Sequence, residues 1–424
     1  MSVRPPPRSR CTSCNEVIDA VSLQARGVVS RYFDRVLTPA ETLAAMRPRL
    51  PEFGITRLAR LTGLDEVGIP VWAAIRPNAL TLAVSQGKGV DDAAAAASAM
   101  MEAVEVATAE RRDLPRLTLA PRAMAASGRR TAQLTELLRL NASPPAADEP
   151  VDWIEGFDLI DDAPVWVPLD AVRLGEEAAQ ARYWQSTDGL ASGNVLWEAA
   201  FHGLCERVER DALALWSLCD DSEVGDRCRD PRDFADPELD ALAAKIEAAG
   251  LRLRLFDIST DVAIPVCFAA VSPASDGDLA HWRHFDLQSG SGCHPDLARA
   301  AIRAVTEAAQ SRLTAISGAR DDFDPGDYRA RIALDLSPFA RAEPAADGPA
   351  AAAVAAAIAP AEYIGRIASR LTAVGVGSAI VVPLESGERG FAVAKALVAD
   401  LETIPGARRF PLGRRALRAK LARR

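Results

Sequence analysis

Apolar residues recur along this chain with two different periods, and the alternation between them lays out the elements before any chemistry is considered. The run Thr38-Pro39-Ala40-Glu41 is a capping signal that predicts a helix over Thr38 to Leu50. Val71 to Ile75 and Leu80 to Val84 are short β-rich runs separated by Arg76-Pro77-Asn78, which predicts a hairpin. A glycine-rich turn, Ser85-Gln86-Gly87-Lys88-Gly89, then leads into a long helical run from Asp91 to about Arg112. Ala120 to Asp148 reads as helical but polar and peripheral, and Asp152 to Leu169 as rich in strands. A turn at Ser186 to Asn194 opens a second long helix that runs to about Ser217. Leu251 to Ile258 and Ile264 to Val271 read as strands, Ser289-Gly290-Ser291-Gly292 as a third glycine-rich turn, and Pro295 to Ser317 as a third long helix. A last strand, Ser378 to Leu384, precedes a helix from Phe391 to Leu401. A turn followed by a carboxylate-bearing helix thus occurs three times, with no residue-level repeat beyond that pattern. The mixture predicts an α/β (α+β) fold with one main domain over 39–405, an irregular lead-in over 1–38 and a basic, solvated tail over 406–424.

Composition narrows the classes of function. At 424 residues with 49% hydrophobic and only 5% aromatic content, the chain is globular and its helices are alanine-rich and closely packed. A formal charge of −9 argues against non-specific nucleic-acid binding, which needs a basic face. The longest apolar run, Ala350 to Ala359, is too short to cross a bilayer, and Met1 to Arg10 lacks the apolar continuation of a signal peptide. Together these predict a cytoplasmic protein without membrane or nucleic-acid partners. The seven scattered cysteines read as reduced thiols, and Cys11-x-x-Cys14 stands alone, with no second Cys or His pair nearby to complete a zinc site.

The candidate chemistry lies on the three long helices. Ser98, Glu102 and Glu105 fall at i, i+4, i+7 and share one face amid apolar neighbours. Glu198, His202, Glu206 and Glu209 span an arc of ~80° on the second helix, with Arg210 and Asp211 directly after. On the third helix Arg299, Arg303, Glu307 and Gln310 form a stripe, with Arg312 off that face. Any one stripe is an ordinary solvated face or an intrahelical pairing by itself. Three of them on apolar helices, converging with Lys88 and Arg303, would gather hard oxygen ligands suited to Mg²⁺ beside cations suited to a nucleoside triphosphate. No Walker A pattern is present, and no Ser-His-Asp or Cys-His-Asp arrangement stands out among four histidines. His202 fits either that site or a satisfied structural role.

These motifs resemble those of the YcaO family. Ser98-Ala-Met-Met-Glu102-Ala-Val-Glu105 is similar to its first glutamate motif, Gly193-Asn-Val-Leu-Trp-Glu198 through Arg210-Asp211 to its second, and Ala301-Ile-Arg303 through Gln310-Ser-Arg312 to its third. The resemblance implies a YcaO-type fold with sheets packed on long helices and an ATP site between the helices. It implies Mg²⁺ ligation by Glu102, Glu105, Glu198, Glu206 and Glu209, and nucleotide contacts from Lys88, Ser98, Arg210, Glu307, Gln310 and Arg312. The chain departs from the family at Val106, where an arginine or aromatic often stands. Pro51 to Gly89 and Trp184 to Asn194 look like the TfuA-associated branch, linked to backbone thioamidation, and the chain end lacks the Pro-x-Pro-x-Pro of azoline-forming cyclodehydratases.

The implied activity is ATP-dependent phosphorylation of a peptide backbone amide oxygen, which converts that oxygen into a leaving group. A sulfur donor, with a TfuA-like partner to deliver it, would then give a thioamide; a neighbouring Cys, Ser or Thr side chain would give an azoline. The resemblance also implies a peptide or protein substrate, a homodimer, and a place for Glu385 near the substrate, as a catalytic group or as a strand-end surface acid. A scaffold with a vestigial ATP site and a generic ATP-dependent ligase are the readings from other classes.

Overall fold

The computed structural model describes residues 34–175, 181–274, 282–320, 324–326, 328–331, 337–344, 360–403 and 412–422. Cys11, Cys14, the Ala350–Ala359 tract and most of the lead-in lie outside the described residues. Three antiparallel sheets carry the architecture. The first has the order β1–β2–β3, from Arg57–Arg60, Val71–Ile75 and Val84–Lys88. The second, with six strands, runs β4–β5–β12–β13–β7, with β6 paired to β5: Leu117–Leu119, Val151–Asp158, Ile380–Ser386, Ala392–Leu397, Leu190–Gly193 and, for β6, Ala163–Pro168. The third runs β11–β10–β9–β8, from Gln288–Cys293, Val266–Pro273, Leu251–Asp257 and Cys228–Arg229.

The longer helices are α1 (Pro39–Met46), α2 (Asp92–Ala109), α3 (Leu196–Trp216), α4 (Pro237–Ala248), α5 (Leu297–Ser317), α6 (Pro360–Ala373) and α7 (Arg414–Ala422). Their starts follow from local chemistry. Thr38 and Glu41 form the anticipated reciprocal capping box, Asp91 accepts from the Ala94 N–H at 2.7 Å, and Asp296 accepts from the Arg299 N–H at 2.9 Å. Each of the three long helices sits in its own apolar cluster: Met100 and Val104 of α2 in one, Phe201, Leu204 and Val208 of α3 in another, Ile302 and Val305 of α5 in a third. No helix among the described residues is long and apolar enough to cross a membrane.

Several sequence expectations need correction. The glycine-rich turns are strands: Ser85 to Lys88 belongs to β3, Leu190 to Gly193 forms β7, and Ser289 to Gly292 lies within β11. Glycine is there because a helix lies directly on the strand. A Cβ on Gly87 would stand 1.9 Å from the Ala99 nitrogen, and one on Gly290 2.3 Å from the Ala308 nitrogen. The hairpin's second strand accordingly begins at Val84 rather than Leu80. Phe391 to Leu401 is not a helix; it contains β13, paired with β12 on one side and β7 on the other. Both faces of β13 are buried, Ala392, Ala394 and Ala396 toward α3 and Val393 and Leu397 toward the α2 cluster, so apart from Lys395, whose ammonium donates to the Ser186 carbonyl, its sequence is apolar and lacks the period of two. Within Ala120 to Asp148 the helical residues are Pro121–Ala126 and a short 3₁₀ turn at Thr135–Leu137.

The tail and lead-in are also more integrated than their composition suggests. In α7 the Arg415 guanidinium makes two 2.9 Å hydrogen bonds to the fully buried Asp211 carboxylate. At the other end, Val36 is buried in the α3 cluster, and Asp34 is buried beside His294 and Arg299.

The three sheets are joined by an exchange that closes on itself. Helix α2 packs on β3, the strand before it, and also on β7; α3 packs on β7 and also on β11; α5 packs on β11 and also on β3. Each helix therefore rests on its own strand and on an end strand of the next sheet, and the three carboxylate stripes are turned toward one another.

Candidate active site

Aligned on their spacing, the three helices present Ser98-x₃-Glu102-x₂-Glu105, His202-x₃-Glu206-x₂-Glu209 and Arg303-x₃-Glu307-x₂-Gln310. This is a repeat at residue level, which the sequence alone did not disclose because the residue types change at most positions. The neighbouring strand reaches the last member of each set. The Ser192 hydroxyl of β7 donates to Glu105 Oε1 at 2.6 Å, and the Ser291 hydroxyl of β11 donates to Glu209 Oε1 at 2.7 Å. On β3 the Gln86 carbonyl accepts from Gln310 Nε2 at 3.2 Å, and the Gln86 side chain accepts from the Thr314 hydroxyl.

Charges are concentrated between the helices. Lys88 Nζ at the end of β3 pairs with Glu307 Oε2. Arg210 Nη2 lies 3.2 Å from Glu206 Oε1, whose other oxygen accepts from the Gly189 N–H at 3.0 Å. Burial pushes the Glu102 carboxyl up to about 7, with Glu206 and Glu307 adding to it against Lys88 and Arg320. Burial likewise raises Glu105 to about 8, reinforced by Glu102 and Glu206 and opposed by Ser192. Glu206 is raised by burial and by Asp188 and Glu209, against Arg210. Glu307 goes the other way: burial pushes it up, but Lys88, Arg210 and Arg303 outweigh that and leave it below its ordinary value. The Arg210 and Arg303 cations are favoured despite burial, because carboxylates surround them, yet the Nε of each makes no hydrogen bond.

Not every anticipated residue joins this cluster. Glu198 is fully buried and committed elsewhere: Oε1 accepts from the Val36 N–H at 2.7 Å, and Oε2 accepts from the Asn194 N–H at 2.8 Å and from Arg35 and the Asn194 side chain at 3.2 Å. Arg312 pairs with Asp65 at 3.0 Å. Glu385 follows a bulge in β12 and faces Arg389 at 3.6 Å and Arg111 at 3.8 Å. Ser98 is half-buried one helical turn before Glu102. His202 is buried with its Nε2 unpartnered, and burial together with the Arg35 charge keeps it neutral. Sequence reasoning missed Ser192, Ser291 and Asp188. For the two serines the signal, a small polar residue directly before a strand glycine, is meaningful only once the strand is known to border another unit's helix; Asp188 lies in the turn before β7.

The donor set fits a divalent cation and a polyphosphate. Carboxyls driven toward protonation by burial and by one another are what a hard cation relieves, and arginine nitrogens without hydrogen bonds beside a lysine are what phosphate oxygens satisfy. Among the described residues no three carboxylate, imidazole or thiol groups are drawn together closely enough to hold an ion by themselves.

Fold and geometry thus define a mixed α/β protein with a cluster of carboxylates and cations enclosed by three helix stripes. Residues 86–402 match the family described as YcaO cyclodehydratase, ATP- and Mg²⁺-binding, and the chain belongs to that enzyme family. A Rhizobium leguminosarum bv. trifolii protein from the tfuA 3′ region is 42% identical over 92% of this chain and 93% of its own length, which supports the TfuA-associated branch. A Methanothermobacter thermautotrophicus protein is 37% identical over 71% of this chain and 76% of its own. Among solved structures, the YcaO protein from Methanopyrus kandleri bound with AMPPCP and Mg²⁺ aligns with a TM-score of 0.66 at 24% identity, covering 88% of this chain and 94% of that one. A heterocyclase in complex with substrate and cofactor aligns at 0.69 and 20% identity over 87% of this chain, which spans about half (53%) of the heterocyclase.

Proposed function

We propose that this enzyme transfers the γ-phosphoryl group of ATP to a backbone amide oxygen of a ribosomally made peptide or protein, and that a sulfur donor then displaces the phosphate to leave a thioamide. The observation that carries the reading is the inward cluster of Glu102, Glu105, Glu206, Glu209 and Glu307 with Lys88, Arg210 and Arg303, in a chain similar to a tfuA-region protein. Transfer breaks the bond between the γ-phosphorus and its bridging oxygen, releasing ADP, and forms a bond from phosphorus to the amide oxygen. Hydrosulfide adds to the activated carbon, the carbon–oxygen bond breaks with phosphate as leaving group, and the sulfur proton is lost to solvent.

Glu102, Glu105, Glu206 and Glu209 would hold Mg²⁺, which when bound would supply charge neutralisation and alignment of the triphosphate. Lys88, Arg210 and Arg303 offset the remaining phosphate charge, with Ser98, Glu307 and Gln310 lining the same space. Arg210 is held between Glu206 and Asp188, which orients its guanidinium toward the centre. Glu198 acts on this site from outside, tying Arg35 and Val36 to the start of α3. Glu385, flanked by two arginines, belongs to the peptide side. The active form is a cytoplasmic homodimer served by a TfuA-like sulfur-delivery protein.

The test is nucleotide product and peptide mass for wild type and Glu206→Ala with Mg²⁺, peptide, sulfide and the TfuA-like protein. ADP with phosphate and a gain of about 16 Da, both lost in the variant, support the reading. A loss of about 18 Da, the mass of water, establishes azoline formation by side-chain attack instead. Absence of nucleotide binding by wild type refutes the ATP site.

A further inference from the structure

Buried carboxylates of this protein are held in chemically different ways. Away from the site, Glu110 pairs with Arg76 at 2.6 Å, Asp158 with Arg130 at 2.6 Å and Asp211 with Arg415 at 2.9 Å, while Glu402 accepts from the Gly413 and Ala416 N–H groups. Glu105 and Glu209 are held by serine hydroxyls that are themselves buried, 5% and 4% exposed. An arginine fixes a carboxylate and cancels its charge, whereas a hydroxyl fixes one oxygen and leaves the group available to ionise toward a cation. Ionising a buried carboxyl that has no arginine beside it costs stability unless a cation arrives to take up the charge.

The placement of the two serines is equivalent. Each lies on an end strand directly before a glycine, Gly193 or Gly292, and each reaches a glutamate on the helix of the preceding unit. The equivalent place on β3 is Gln86, before Gly87, and there the facing helix residue is the neutral Gln310. Serine therefore stands where a carboxylate must be held and is replaced where it need not be.

We propose that Ser192 and Ser291 are positioning residues for the cation-binding carboxylates: each fixes Oε1 of its glutamate, so that Glu105 and Glu209 present their charge to the divalent cation in a set orientation. The inference rests on the ATP and Mg²⁺ reading above and adds the residues that shape its metal affinity. Hydroxyls of this kind are worth about 10- to 100-fold in metal affinity when removed.

The experiment measures Mn²⁺ binding, by the electron paramagnetic resonance signal of free Mn²⁺, to the full chain with a non-hydrolysable ATP analogue. Variants are Ser192→Ala, Ser291→Ala and Gln86→Leu, with analogue binding in EDTA and thermal unfolding measured alongside. The expected result is Mn²⁺ affinity about 10- to 100-fold weaker in both serine variants, with metal-free analogue affinity unchanged, and Mn²⁺ affinity within about twofold of wild type in Gln86→Leu. Wild-type Mn²⁺ affinity in both serine variants overturns the proposal while leaving the ATP site intact. An equal loss in Gln86→Leu overturns it too, by showing that strand–helix packing alone is responsible. If wild type takes up no Mn²⁺ with the analogue, the ATP reading and this proposal fall together.

Discussion

Replacing Gly87 by alanine tests the link between packing and chemistry in this enzyme. A Cβ at that position would stand 1.9 Å from the Ala99 nitrogen, 2.4 Å from the Ala95 carbonyl oxygen and 2.6 Å from the Ala99 Cα. All three are backbone atoms of α2, so no rotamer change relieves the overlap, and ordinary contact begins at 3.4 Å. The helix must retreat by about 1.5 Å from β3 or the strand must bend by as much; overpacking of this kind costs about 1–3 kcal/mol. The face that retreats carries Ser98, Glu102 and Glu105, and a displacement near 1 Å at reacting groups costs about 100-fold in rate. Gly87→Ala should therefore fold, with urea unfolding shifted by about 1–3 kcal/mol and MgATP turnover reduced about 100-fold or more. Gly365→Ala in α6, where a Cβ meets nothing within 4 Å, should leave turnover unchanged and add up to about 1 kcal/mol of stability. Turnover of Gly87→Ala within threefold of wild type, at unchanged stability, would refute the reasoning.

Other consequences follow from the same contacts. Glu102 and Glu105 stand near 7 and 8 against an ordinary 4.5, so their protonated forms stabilise the fold fully below about pH 4.5 and lose that contribution as pH rises through 7 and 8. Metal-free protein should accordingly lose melting temperature between about pH 5 and 8.5, while Mn²⁺ binds about tenfold more tightly per pH unit for each proton it displaces; calorimetry in two buffers counts those protons, and pH-independent uptake contradicts the assignment. Arg415→Ala strands the fully buried Asp211 carboxylate and should cost about 3–5 kcal/mol by urea unfolding; a change below 1 kcal/mol would mean α7 is dispensable. Glu198→Ala should release the Val36 amide, seen as faster hydrogen exchange there, before it changes exchange within α2 or α5.

What the sequence discloses depends on how local the cause is. Helices α2, α3 and α5 were readable to within a few residues because capping groups such as Asp91 and Asp296 and the helical period lie within each segment. The glutamate stripes were readable for the same reason. The glycines of β3, β7 and β11 were misread as turns because their cause is the backbone of a helix, which no local pattern shows. Strand β13 was misread because burial of both faces erases the alternation that marks a strand. Within the site, spacing selected Glu102, Glu105, Glu206, Glu209 and Glu307, but could not show that Glu198 is taken up by Arg35 and Val36, or Arg312 by Asp65. Ser192 and Ser291 were invisible because each serves a glutamate more than 80 residues away, 87 in one case and 82 in the other.

The ring of helix-on-strand contacts also constrains how the chain reaches its working state. The contact that closes the ring, Lys88 with Glu307, spans 219 residues, and closing so long a loop is a late and slow event in folding. Until α5 has docked on β3, Lys88 has neither Glu307 nor Arg303 beside it, and the second sheet is also open, because its inner strands β12 and β13 follow α5 in the chain. A chain clipped before α5 therefore lacks Arg303, Glu307 and the strands that join β5 to β7, and should bind ATP more weakly than the full chain. ATP binding during refolding thus reports completion of the whole fold rather than formation of any one part.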